Sequence, residues 1–231
     1  MTKPAAQRKH ALPTRLWHWL NAACLIGLFM SGLGISNAHP RLYWGNYGFD
    51  RADAWLHLIR FPNWMTIPGH YSLAEARLWH LLLAWPFAFG LLLFMAVSLV
   101  NRHFIRDLVT RPREWRWGAV RADIVKHLRL DFRHDGVKFN FLQKGSYGVV
   151  IFILLPLMIF TGLAMSPGMD ANWPWLLDIF FGRQSARSIH FLCAWTLVGF
   201  LVVHLVLVLL SGPIRQIRDM ITGGRMQEDR P

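Results

Sequence analysis

"RSIHFLCAWTLVGFLVVHLVLVLL", residues 187–210, contains no Lys, Arg, Asp or Glu after its first residue. The apolar run it opens, 189–211, is close to the ~20 residues a helix needs to cross the hydrocarbon core of a bilayer. Two histidines stand in it, His190 and His204. Three further stretches have the same character, at about 16–36, 79–100 and 146–166, and none holds a Lys, Arg, Asp or Glu. The whole chain of 231 residues is 54% hydrophobic and 16% charged. Ordinary soluble domains are about 25% charged. The expected fold is therefore all-α and integral to a membrane, a single domain over 1–231 built as a four-helix bundle.

The first span is too long for the apolar region of a signal peptide, and "SNA" before His39 is a poor cleavage site, so it is expected to be retained. The net charge of +12 follows the membrane and not a nucleic-acid surface. Residues 1–15, loop 101–145 and tail 212–231 hold four, eleven and four Lys/Arg. Connections 37–78 and 167–188 hold six together. By the positive-inside rule both termini are cytoplasmic. The chain is expected to cross a membrane several times. Cys24 and Cys193 both lie in spans, match no Cys-x-x-Cys-His attachment site and imply no disulfide framework.

Span 1 leads outward into a long loop rich in Trp, Tyr, Gly and Pro. Loops of this length usually have a function or order of their own. Its middle, "RADAWLHLIRF", is expected to form a short interfacial helix. Pro86 and Pro156 predict kinks in spans 2 and 3. The inner loop carries a basic, partly amphipathic stretch at 113–135, and then "GVKFNFLQKGSYG". Most of the twelve Trp suit the interfacial belt and packing.

Ionisable residues within a bilayer are rare and mark functional sites by default. His190 and His204 are fourteen residues apart. At 100° per residue they return to within about 40° of one helix face, and they are roughly 21 Å apart along the axis. His80 opens span 2 at the outer level, and His18 opens span 1 at the inner level. Two facing pairs result, His18 with His204 and His80 with His190. A haem takes axial ligands on opposite faces, and a bundle core is a usual place for it. Two stacked bis-histidine haems are therefore expected. His57, His70 and His103 remain rival ligands. His10, His39, His127 and His134 read as loop residues.

"RLWH" occurs at 15–18 and again at 77–80, and "RSIH" at 187–190 keeps the same spacing. In each, the Arg lies one helical turn closer to the membrane surface than the His. A cation there can snorkel to the interface and pair with a haem propionate. Arg15 is assigned to the inner haem, and Arg77 and Arg187 to the outer one. The competing reading of each Arg is an interfacial anchor. His204 has no such Arg, and its surface lies after it, near Arg215. Gly27, Gly90 and Gly199 would let a flat macrocycle approach the backbone, or serve helix packing.

"RLWHWLNA", "EARLWHL", "KFNFLQKGSYG" and "ARSIHFLCAWTLVGFLVVH" together resemble the di-haem cytochrome b subunits of bacterial respiratory oxidoreductases. That group includes the gamma subunit of formate dehydrogenase, the cytochrome b of nickel–iron hydrogenase, that of thiosulfate reductase and the wider bacterial cytochrome b561 group. The resemblance runs from Arg15 to Ser211. Its Lys-Tyr-Asn-x-x-Gln-Lys stretch is matched with Phe139 in place of Tyr. It implies two b haems and electron transfer between a catalytic partner on the outer face and a quinone near the inner haem. Carried over, the quinone residues are Asn140 and His204, with Gln143 and Lys144 as adjacent candidates; the bland reading is that Asn140 caps span 3 and Lys144 anchors it. The outer loop is longer than the resemblance predicts.

No motif here supplies a substrate site for hydrogen, formate or sulfur compounds. A periplasmic partner is implied, such as a molybdopterin enzyme, a nickel–iron hydrogenase or a c-type cytochrome. The alternative is a stand-alone superoxide:quinone oxidoreductase of the same architecture, which would be active without a partner. A remoter alternative is a non-haem membrane anchor or metal transporter, which would be colourless.

Overall fold

Among the described residues, four helices of the computed structural model are long and apolar enough to cross a membrane: Leu12–Ala38, Leu73–Val100, Phe141–Met165 and Arg183–Leu210. Residues 10–102, 104, 110, 112–128 and 141–224 are described. The elements are α1 (Leu12–Ala38), β1 (Arg41–Leu42), β2 (Leu56–His57), α2 (Leu73–Val100), α3 (Trp117–Leu128), α4 (Phe141–Val149), a π-helical turn (Val150–Leu154), α5 (Leu155–Met165), α6 (Pro167–Asn172), α7 (Trp175–Ile179), α8 (Arg183–Leu210) and α9 (Pro213–Thr222). The third crossing is α4, the π-helical turn and α5 in one run.

All four crossings begin before the apolar run does, and local capping explains two of them. Ser72 Oγ accepts from the N–H of Glu75, and Glu75 itself lies in the first turn of α2. An acid there favours the positive end of the helix dipole. The start of α8 is capped by a loop, because Gly45 O accepts from the N–H groups of Gln184 and Ser185. Gly182 precedes it at φ +110, a conformation suited to glycine. In the third crossing the π-helical turn ends where Pro156 enters α5. Proline has no N–H for the helical ladder, and the widened turn accommodates the gap.

Side-chain exposure fits a lipid solvent. Leu82 is 62% exposed, Leu93 67% and Val100 82%. A water-facing surface this apolar would drive aggregation. Buried positions include small and polar residues, among them Ser31, Thr161, Ala186 and Ser188.

Contacts group the chain into two units. One comprises residues 1–22, 90–146 and 201–231. In it Trp17 stacks on Phe94 with ring centroids 4.1 Å apart. Arg15 donates to the carbonyl of Ile221 near the end of α9, and Trp19 Nε1 donates to that of Met220. α9 carries Ile214, Ile217 and Ile221 exposed along one face, with Arg215 and Arg218 between them. That pattern suits a helix lying in a membrane interface.

The other unit comprises residues 23–89 and 147–200. A core of Ala164, Leu176, Phe180 and Ala186 joins the third crossing, α7 and α8. The expected interfacial helix at 51–61 is not formed. Leu56 and His57 instead pair antiparallel with Leu42 and Arg41. Trp55 N donates to Leu42 O, and Leu58 N to Pro40 O. Burial alternates along this stretch, with Ala54, Leu56 and Leu58 turned in and Trp55, His57 and Ile59 turned out. A period of two is a strand pattern, and it prevails over helix propensity here.

Candidate functional site

The four intramembrane histidines meet in two pairs, each within one unit. His18 of α1 faces His204 of α8 with ring centroids 6.3 Å apart. His80 of α2 faces His190 of α8 with centroids 6.2 Å apart. The rings are inclined at 56° and 60°. All four side chains are half-buried.

This separation has a chemical meaning. An imidazole nitrogen binds a metal at about 2.0 Å, and the ring centroid lies roughly 1.1 Å behind it. Two rings on opposite sides of one ion therefore have centroids about 6.2 Å apart. Directly hydrogen-bonded or stacked rings would be closer. Two imidazoles alone do not complete the coordination of a transition metal. Among the described residues no group of three or more His, Cys, Asp or Glu converges to do so. A macrocycle that brings its own equatorial donors fits this set.

The α1 residues around His18 have further marks of a missing polar partner. Arg15 Nε, Trp17 Nε1, His18 Nδ1 and Asn21 Oδ1 are buried with no hydrogen-bond partner. Each such group costs about 1–3 kcal/mol unless something satisfies it. All four lie within two turns of α1. In the outer pair, by contrast, both Nδ1 atoms are engaged. Ser31 Oγ lies 3.0 Å from His80 Nδ1, and Thr161 Oγ1 lies 2.8 Å from His190 Nδ1. Sequence reasoning passed over both hydroxyls, since a lone Ser or Thr in an apolar run carries no periodic signal.

Of the three arginines, Arg15 is buried and spends Nη1 on the Ile221 carbonyl, leaving Nε facing the interior. Arg77 is exposed. Arg187 donates to the carbonyls of His39 and Arg41, so it clasps the outer loop to α8. Lys144 makes a 2.8 Å ion pair with Glu114, and Gln143 is half-buried in α4. Asn140 lies outside the described residues, as does His103. His57 is exposed in β2, and His70 is exposed beside Glu75 at 3.3 Å. Neither joins a histidine pair. Gly27 is packed by Leu83 and Gly90 by Leu20, which is the helix-packing role, while the space beside Gly199 is open.

A protein-family model described as prokaryotic cytochrome b561 matches residues 9–223. Among curated relatives is a "Probable Ni/Fe-hydrogenase B-type cytochrome subunit" of Cupriavidus necator, 24% identical over 94% of this chain and 86% of that protein. One of the same name from Azotobacter vinelandii is 23% identical over 99% of this chain and 92% of its own length. A third, from Azospira oryzae, is named "Putative protein-methionine-sulfoxide reductase subunit YedZ1" and is 25% identical over 85% of this chain and 87% of that protein.

Proposed function

The chain belongs to the prokaryotic cytochrome b561 family, and from that premise we propose that it is a di-haem electron-transfer subunit. It is a multi-pass membrane protein, and its family implies b-type haem. In this reading one haem is held by His18 and His204 and the other by His80 and His190. The observation that carries it is the pair of centroid separations, 6.3 and 6.2 Å, each matched to one metal ion between two rings.

Bound haem supplies one-electron iron chemistry, which the side chains of this chain lack. The residues do the rest. The imidazoles would be the protein's nitrogen ligands to the iron. The apolar crossings keep water away, and Arg15 offers its free Nε to a propionate of the inner haem. Arg77 is the exposed candidate for the outer haem's propionate. Arg187 stays with the carbonyls of the outer loop until a propionate competes for it.

We place the outer pair at the periplasmic face of a bacterial inner membrane and both termini in the cytoplasm, on the distribution of Lys and Arg. Electrons pass between a catalytic or electron-carrier subunit outside and a quinone near the inner pair. Two relatives named as hydrogenase cytochrome subunits and a third named as a reductase subunit support such a partner. Asn140, Gln143 and Lys144 are the quinone candidates. Lys144 pairs with Glu114 through one N–H, and its ammonium has two further donors for a quinone oxygen.

Haem content and optical spectra test the reading. The chain purified in detergent should carry two low-spin b haems. Single replacement of His18, His80, His190 or His204 by Ala should leave one haem each. A colourless, folded chain made with haem available would end the proposal in favour of an anchor or transporter. One haem in the wild-type chain would discard one of the two pairs.

A further inference from the structure

Ser31 and Thr161 are both fully buried, on different crossings, and each presents its hydroxyl to a histidine of the outer pair. Each hydroxyl also lies against carbonyls of its own helix. Ser31 Oγ is 2.8 Å from Gly27 O and 3.0 Å from Leu28 O. Thr161 Oγ1 is 2.6 Å from Leu157 O and 3.2 Å from Met158 O. The same arrangement thus occurs twice, and in each a glycine follows. A methyl added at Gly32 would touch His80 Cε1 at 3.6 Å, and one added at Gly162 would touch His190 Cε1 at 3.6 Å.

A proton count decides the direction of these bonds. A hydroxyl has one hydrogen and two lone pairs. If that hydrogen pointed at Nδ1, the hydroxyl oxygen would face a carbonyl oxygen at 2.6 or 2.8 Å with no hydrogen between them. Such a contact is repulsive. The hydroxyl therefore donates to the carbonyl four residues back and accepts from Nδ1–H. Each outer imidazole is then the Nδ1–H tautomer, and its Nε2 keeps a bare lone pair, which is the form a metal ligand requires.

We propose that Ser31 and Thr161 are positioning residues of the outer haem, holding His80 and His190 in the ligating tautomer and raising the basicity of their Nε2 atoms. The inference rests on the assignment of that pair as haem ligands. A more basic axial nitrogen favours the oxidised iron, so these hydroxyls lower the potential of the outer haem. The hydroxyl's own bond to its carbonyl strengthens it as an acceptor, because successive hydrogen bonds polarise one another.

The test uses the full chain in detergent, with Ser31→Ala, Thr161→Val and the double variant. Haem content, an optically monitored redox titration and the low-spin electron paramagnetic resonance spectrum are read for each. The outer haem is identified by comparison with His80→Ala, which retains the inner one. Expected is a shift of the outer haem to more positive potential, additive in the double variant, with the inner haem unmoved. Ser31→Thr and Thr161→Ser should restore the wild-type potential. If a variant loses the outer haem, its recovery in the matching hydroxyl-bearing variant supports the same role, and failure to recover it overturns the inference. Two haems with unchanged potentials and spectra in the double variant would also overturn it. Failure of the ligand assignment shows separately, as two haems persisting in His80→Ala or His190→Ala, and it takes the inference with it.

Discussion

His39 stands where α1 ends, and its environment opposes its protonation. Partial burial pushes its imidazole below the ordinary value of 6.5, and the positive charges of Arg187 and then Arg77 push it the same way. Its carbonyl also accepts from Arg187. The folded chain therefore binds fewer protons at this site than the unfolded chain does. Linkage then makes the contribution complete above pH 6.5, and it is lost as the pH falls from there through the lowered folded value. Thermal denaturation in detergent across this window should show stability dropping on acidification. His39→Gln should flatten that part of the profile. An unchanged slope in the variant would assign the effect to other groups. A single histidine of this kind reads as a loop residue in the sequence, because the two arginines that surround it arrive from separate segments.

The clasp between the outer loop and α8 belongs to elements. Ser188 Oγ donates to Tyr43 O at 2.6 Å and accepts from Trp55 Nε1 at 3.0 Å. One turn earlier, Ser185 Oγ accepts from the N–H of Gly45. Both serines are buried, so each bond replaces water that is no longer available. Leaving such partners unsatisfied costs about 1–3 kcal/mol. Ser188→Ala should therefore lower stability by about that amount. Limited proteolysis should then cut between residues 41 and 60 faster than in the wild type, with haem content retained. Cleavage at the wild-type rate would mean that the β1–β2 pairing holds the loop by itself. The crossings themselves were legible, since their apolar length is set by the bilayer and hardly depends on partners. Their first turns were not, because Ser72 and Gly45 supply caps that hydropathy does not register. The strand at Leu56–His57 was missed for another reason. "RADAWLHLIRF" has helix-forming residues, and only its pairing with Arg41–Leu42 makes the alternation decisive.

At the scale of the molecule, the histidine pairs were legible because two histidines fourteen residues apart return to nearly the same side of an ideal helix. His190 and His204 both stand on α8, and each finds its partner on another crossing. The hydroxyls behind the outer pair left no such trace, since Ser31 and His80 are 49 residues apart, and Thr161 and His190 are 29. α8 contributes to both pairs, so it is the common element of the proposed electron path. If electrons traverse the membrane through both haems, loss of the inner pair should interrupt the path without preventing entry. Liposomes carrying the chain with its outer face exposed can be given a membrane-impermeant reductant, with quinone in the bilayer. Wild-type protein should show reduction of both haems followed by quinone reduction. His18→Ala should still show rapid reduction of the outer haem, now alone, while quinone reduction falls to the background of protein-free liposomes. Quinone reduction at the wild-type rate in His18→Ala would mean that quinone meets the outer haem directly. The quinone candidates at the start of the third crossing would then lose their role, and the long outer loop would become the place to look for it.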